Sequence, residues 1–206
     1  MDYVYIVPVG SMKGDFWIDP LAHAIMRTFG LKTRYRLFDI DLSRAYDARR
    51  RQYDSAEILR QLIAALPPDG CRVLGVAEVD LFIPILTFVF GEAQLNGAGS
   101  VASLHRLHNE FYGLPADKHL MLERLLKEAV HELGHTFGLI HCYEPRCVLK
   151  SSTYVEDIDQ KSVEFCDACM GKIRANVAAC RRQGKAEAVK TNRGNAVKSY
   201  DVPPIV

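Results

Sequence analysis

No apolar run in the 206-residue sequence is long enough to cross a bilayer. The most apolar stretch, residues 81–90, is too short, and Glu78, Asp80 and Glu92 flank it. The opening residues, MDYVYIVPVG, lack the basic n-region, apolar core and cleavage pattern of a secretory leader, so a cytoplasmic chain is expected. Neither sign of charge is in excess. The 26 Lys+Arg face 25 Asp+Glu, a net charge of +1, and nothing in that balance predicts nucleic-acid binding. Six cysteines are too few for a disulfide scaffold of this length. There is no internal repeat. With 49% apolar and 25% charged residues, disordered and collagen-like chains are excluded. What is left is one ordinary domain, or a domain with a small appendage.

The first half alternates strand and helix signals. Residues 3–9 are aromatic and β-branched and end at Gly10, which predicts a strand. Residues 14–30 carry Leu21, Ile25 and Phe29 at helical spacing, with Gly30 as the stop. A strand is expected over 33–40 and a helix over 54–66. Asp54 and Glu57 form a candidate capping box there, and Pro67 and Pro68 end the helix. Residues 71–80 predict a strand buried on both faces. Residues 88–95 and 99–107 predict two more, joined near the turn-forming Asn96-Gly97. The order β-α-β-α-β-β-β gives an α+β fold with a mixed sheet. A long helix is expected over 117–137, and a short one over about 166–182 closes a polar, Cys-rich stretch. Residues 183–206 are expected to form a polar, basic tail. The implied organisation is a catalytic subdomain over 1–138, a second subdomain over 139–182, and the tail.

The segment HELGHTFGLIH, residues 131–141, carries the chemistry. His131 and His135 are four apart on a helix, so their imidazoles project from one face about 40° apart. Glu132 sits beside them, where it can reach a metal-bound water without being a ligand. Gly138 supplies the backbone freedom for a reversal after the helix, which lets His141 return as a third nitrogen. Three histidines leave a tetrahedral zinc one open position, the arrangement of a catalytic site. A bare HExxH arises by coincidence readily enough; fixing three His, one Glu and one Gly makes coincidence remote.

Cys142, Cys147, Cys166 and Cys169 offer two ligand pairs, one with the CxxC spacing of a zinc knuckle. Four thiolates close a structural site, and a zinc there can contribute on the order of 10 kcal/mol to a segment too polar to build its own core. The alternative is two disulfides, which a reducing compartment disfavours. Cys71 reads as a small buried residue, and Cys180 as a helix residue without a partner. Glu128 reads as part of a solvated helix face. His23, His105, His108 and His119 receive no role. Tyr143 and Tyr154 are candidates for a phenol donor to an oxyanion.

The extended motif resembles the metzincins, and its continuation by four cysteines resembles the archaemetzincin family among them. Three further segments are similar to that family: RRQYDSAEIL (50–59), GVAEVDLFIPILTFVFGEA (75–93) and GSVASLHRLHNEFYG (99–113). The resemblance covers residues 1 to about 180. It implies a zincin-like fold with a twisted mixed sheet, a backing helix and an active-site helix, followed by a small zinc-stapled subdomain. It also implies two zinc ions per chain: His131, His135 and His141 hold a catalytic one, Cys142, Cys147, Cys166 and Cys169 a structural one, and Glu132 is the general base. The implied activity is hydrolysis of a peptide or protein, with a mild suggestion of aminopeptidase action on short peptides. The strand around residues 88–94 would bind substrate as an added strand, with Glu92 available to a free amine. No nucleic acid, membrane or partner subunit is implied, so a monomer is expected. The alternative is a zinc-binding module with little proteolysis, acting through partner binding. One departure stands out: the family has Met two residues after the second cysteine, where this sequence has Leu149.

Overall fold

The computed structural model describes residues 3–12 and 14–191, with side chains to residue 181. Its principal sheet has the order β2 (Lys32–Tyr35), β1 (Tyr3–Val9), β5 (Gly70–Ala77), β8 (Gly99–Ser103), β7 (Gly91–Ala93). β1 runs parallel to β2 and β5, and β5 runs parallel to β8. β7 is antiparallel to β8 and forms the edge. Only Arg72 of β5 is not fully buried, as expected of a central strand covered on both faces.

Alternation along β1 sorts two cores. Val4 and Ile6 join one with Leu21, Ile25, Leu125 and Leu133. Tyr5 and Val7 join the other with Ile58 and Leu62. The first core is closed by α1 (Ile18–Phe29) and α3 (Lys118–Thr136), the second by α2 (Ser55–Ala64). α1 ends at Gly30, φ 64°, whose N–H donates to Met26 O. Asp54 caps α2 by accepting from the Ala56 N–H, but the expected capping box is incomplete. Glu57 instead pairs with Arg44 at 2.9 Å and with Arg60. Asp117 caps α3 by accepting from the His119 and Leu120 N–H groups.

Several elements differ from the sequence reading. The strands at 33–40, 88–95 and 99–107 are shorter, because continuous pairing runs only over β2, β7 and β8, with Val89 adding an isolated bridge to Leu81. A small second sheet joins β3 (Tyr46–Asp47), β4 (Gln52–Asp54) and β6 (Leu81–Phe82), and α4 (Val155–Gln160) is new. α5 (Asp167–Thr191) runs past residue 182, through a stretch rich in Lys, Ala and Glu that favours helix. The remainder of the expected tail, 192–206, lies outside the described residues. Cys180 on α5 is not alone: Arg72 Nη1, from β5, lies 3.5 Å from its Sγ. Among the described residues no helix is long and apolar enough to cross a membrane.

Candidate metal centre

α3 is built to carry two faces. Met121, Leu125, Ala129 and Leu133 bury one stripe at four-residue spacing. The opposite side carries His131 and His135, whose Nε2 atoms are 3.0 Å apart. After Thr136 the chain turns through Gly138, φ 83°, a conformation glycine adopts at least cost. The turn is tied down by Gly138 N–H donating to His135 O, 2.8 Å, and Leu139 N–H to Gly134 O, 3.3 Å. His141 then returns, and one nitrogen from each of the three imidazoles lies within 4.8 Å of the others.

Two backbone carbonyls orient the rings. His131 Nδ1 lies 2.8 Å from Val148 O, and His135 Nδ1 lies 2.6 Å from Leu139 O. With the proton on Nδ1, each Nε2 presents a lone pair to the common centre. Burial pushes all three histidines below their usual range, His131 furthest, and the nearby Lys161 cation adds to it. Neutral imidazoles are the form that binds metal. The donor set and its closeness fit a cation with nitrogen bonds of about 2.0 Å.

Glu132 is 6% exposed and its side chain runs along the backbone of Gly91. A Cβ at Gly91 would fall 2.7 Å from both Glu132 Cγ and Oε1. Burial first, then the neighbouring Glu128, raises the Glu132 carboxyl well above the usual carboxylate range. Glu128 itself is not on a solvated face. It is 3% exposed and pairs with Lys161 at 2.9 Å, the lysine side chain being fully buried. Lys161 Nζ also donates to Lys150 O, 3.3 Å, and stands 3.4 Å from His131 Nδ1. The sequence reading missed this lysine; two carboxylates one helical turn apart beside the motif were the available signal.

The segment after the turn folds against the same helix. Cys142 N–H donates to Leu149 O at 2.9 Å. Leu149 is fully buried and, with Phe165, fills the space over Gly134, where a Cβ would meet the two side chains at 3.1 and 3.0 Å. Leucine, close to Met in volume, therefore keeps an apolar floor here, where the family has methionine. One sulfur from each of Cys142, Cys147, Cys166 and Cys169 lies within 4.8 Å of the others. Cys142 and Cys166 Sγ are 3.8 Å apart, the edge of a tetrahedron with metal–sulfur bonds of about 2.3 Å. All four are free thiols, and their mutual closeness fits one shared ion.

Other candidates lie elsewhere or stay unattached. Adjacent strand residues face opposite sides. With Gly91 facing Glu132, Glu92 lies on the α2 side of β7, where burial raises its carboxyl above the usual range. Tyr143 and Tyr154 are 100% and 67% exposed. His108 pairs with Glu78 at 3.0 Å, His105 packs on Phe111, and His23 and His119 are exposed.

A family model described as Peptidase family M54 matches residues 45–175, and with it the class is defined: a zinc metallopeptidase. An archaemetzincin of Methanocaldococcus jannaschii is 40% identical over 83% of this chain and 92% of its own length. One of Archaeoglobus fulgidus is 41% identical over 83% and 98%. The solved archaemetzincin of Methanopyrus kandleri superposes with a TM-score of 0.76 at 32% identity, over 85% of this chain and 95% of that one. A second, from Archaeoglobus fulgidus and complexed with malonate, gives 0.69 at 39% identity over 82% and 99%. The chain belongs to peptidase family M54, among the archaemetzincins.

Proposed function

We propose that the chain hydrolyses peptide bonds with Glu132 as general base and a catalytic zinc on His131, His135 and His141. A second, structural zinc is held by Cys142, Cys147, Cys166 and Cys169. The observation that carries the reading is the meeting of three imidazole nitrogens beside a buried carboxylate. Zinc in such a site polarises the scissile carbonyl and lowers the pKa of a bound water towards neutrality. The chain's own groups do the rest. The Val148 and Leu139 carbonyls hold the two helix histidines in the metal-binding tautomer. Glu132 accepts the proton of the attacking water and later gives it to the leaving amine. Its raised affinity for a proton suits a carboxylate that must keep one between those steps.

β7 supports the substrate side of the reading. It is the edge of the sheet, so an extended peptide can add beside it. The thiolate cluster supports reading residues 139–182 as a zinc-stapled subdomain. Preference for the amino end of short peptides rests on the family resemblance, and Glu92, on the face of β7 opposite the one that meets Glu132, is not its anchor. Acetylating the amine of a test peptide stops an aminopeptidase and leaves an endopeptidase unaffected. The central test is Glu132→Gln, expected to keep zinc content and lose hydrolysis; cleavage at the parental rate would overturn the assignment.

A further inference from the structure

The peptidase site leaves two of the six cysteines unused, and they meet. Cys71 lies in β5, 3% exposed. Cys180 lies on α5, half-buried. Both pack on the same core, and one guanidinium nitrogen touches both residues. Arg72 points Nη1 at Cys180 Sγ from 3.5 Å and cannot swing away. Its Nε and Nη2 donate to Thr136 Oγ1 and O, both at 3.1 Å, and Nη1 to Cys71 O at 2.6 Å. Its guanidinium also lies 4.4 Å from the centre of the Phe137 ring. A cavity of about 400 Å³ opens beside this group, lined by Arg72, Phe137, Gly138, Asn176 and Ala179.

We propose that Cys180 and Cys71 form a modification site for small hydroperoxides, with Cys180 as the reacting thiolate and Cys71 as the resolving thiol. A fixed cation favours negative charge on Cys180, and its half-buried position leaves the sulfur within reach of a small oxidant. The neighbouring Cys71 thiol first, then Arg72, bring the Cys180 thiol down to about 6 against the opposing effect of burial; Cys71 moves the opposite way. The Cys180 sulfur attacks one peroxide oxygen and the O–O bond breaks. The departing hydroxide takes up a proton, leaving Cys180 as a sulfenic acid. Cys71 sulfur then displaces that oxygen as water, its own proton leaving with it. Two thiols lose two electrons and one peroxide is reduced to two waters. The bond formed would fasten α5 to β5. One turn earlier on α5, Asn176 donates to Phe137 O at 2.7 Å, at the start of the Gly138 turn, so the linkage would also stiffen the return of His141.

The test uses the full-length, zinc-loaded protein treated with one equivalent of hydrogen peroxide, followed by thiol blocking and peptide mapping by mass spectrometry. A Cys71–Cys180 cross-linked peptide is expected while the tetrathiolate cysteines remain on zinc. In Cys71→Ser the cross-link is lost and dimedone traps Cys180. In Cys180→Ser no cross-link forms and peroxide consumption falls to that of the zinc thiolates. A parental map without the cross-link overturns the proposal. So does dimedone on Cys71 instead of Cys180, or a Cys180→Ser chain that consumes peroxide as fast as the parent. The parental map needs no variant to fold.

Discussion

Gly91 and Lys161 govern the site's carboxylates without taking part in the reaction. Glu132 occupies the space that any side chain at 91 would need. Gly91→Ala should therefore push the proposed general base out of line. Misplacements of this order cost about 100-fold in rate. Zinc content should be unchanged, and kcat set against zinc per chain checks it. Lys161→Met removes the cation beside Glu128 and strands a buried charge, which costs about 3–5 kcal/mol. Combining it with Glu128→Gln should recover most of that loss in denaturant midpoint, because the uncompensated charge is gone. Neither residue was legible. Which side chain a strand glycine makes room for depends on sheet register, and Lys161 reaches Glu128 only through the folding of the intervening segment. The histidines, by contrast, were legible in full, since their geometry is set by local helical spacing and one glycine.

At the scale of elements, helices were easier to read than strands. α1, α2 and α3 each carry a local apolar period and a local stop or cap. The strands were overextended, because a strand ends where its neighbour does, and the neighbour is far along the chain. The two- and three-residue strands of the second sheet are too short to carry a period. They are held by polar contacts instead. Asp80 accepts from Arg106 Nε and Nη2 at 2.6 and 2.8 Å and from Gln52 Nε2 at 2.9 Å. Arg106 is itself stacked between Phe88 and Phe111. Burial pushes the Asp80 carboxyl up, but the Arg106 and Gln52 hydrogen bonds and the Arg106 charge outweigh it, and the net shift is downward. A carboxyl depressed in the fold gives stability that is complete above its ordinary value and lost as pH falls through the depressed one. As the pH falls below about 4 the parent should lose this contribution while Asp80→Asn does not. Thermal midpoints by circular dichroism should converge as the pH drops.

For the molecule as a whole, the two candidate metal sites are mechanically one. Val148 accepts from His131, and it lies beside Cys147 in the segment the thiolates gather. Chelation should therefore do more than silence catalysis. With no metal on the thiolates, residues 139–169 lose a contribution on the order of 10 kcal/mol, and limited proteolysis should cut there first while the sheet persists. Cys166→Ser should weaken zinc retention at the histidines although it touches none of them, as metal analysis after gel filtration would show. Retention at the parental level would mean that the centres are independent.

The hairpin between β7 and β8 has its own attachment to this system. The Asn96 N–H donates to His135 O at 2.9 Å, so the tip of the edge hairpin is latched to the end of the helix that carries the histidines. A peptide that adds along β7, as proposed, would bear on a hairpin whose tip is tied by this amide to the end of the histidine helix, so strand addition and the placing of His135 would be felt by one another.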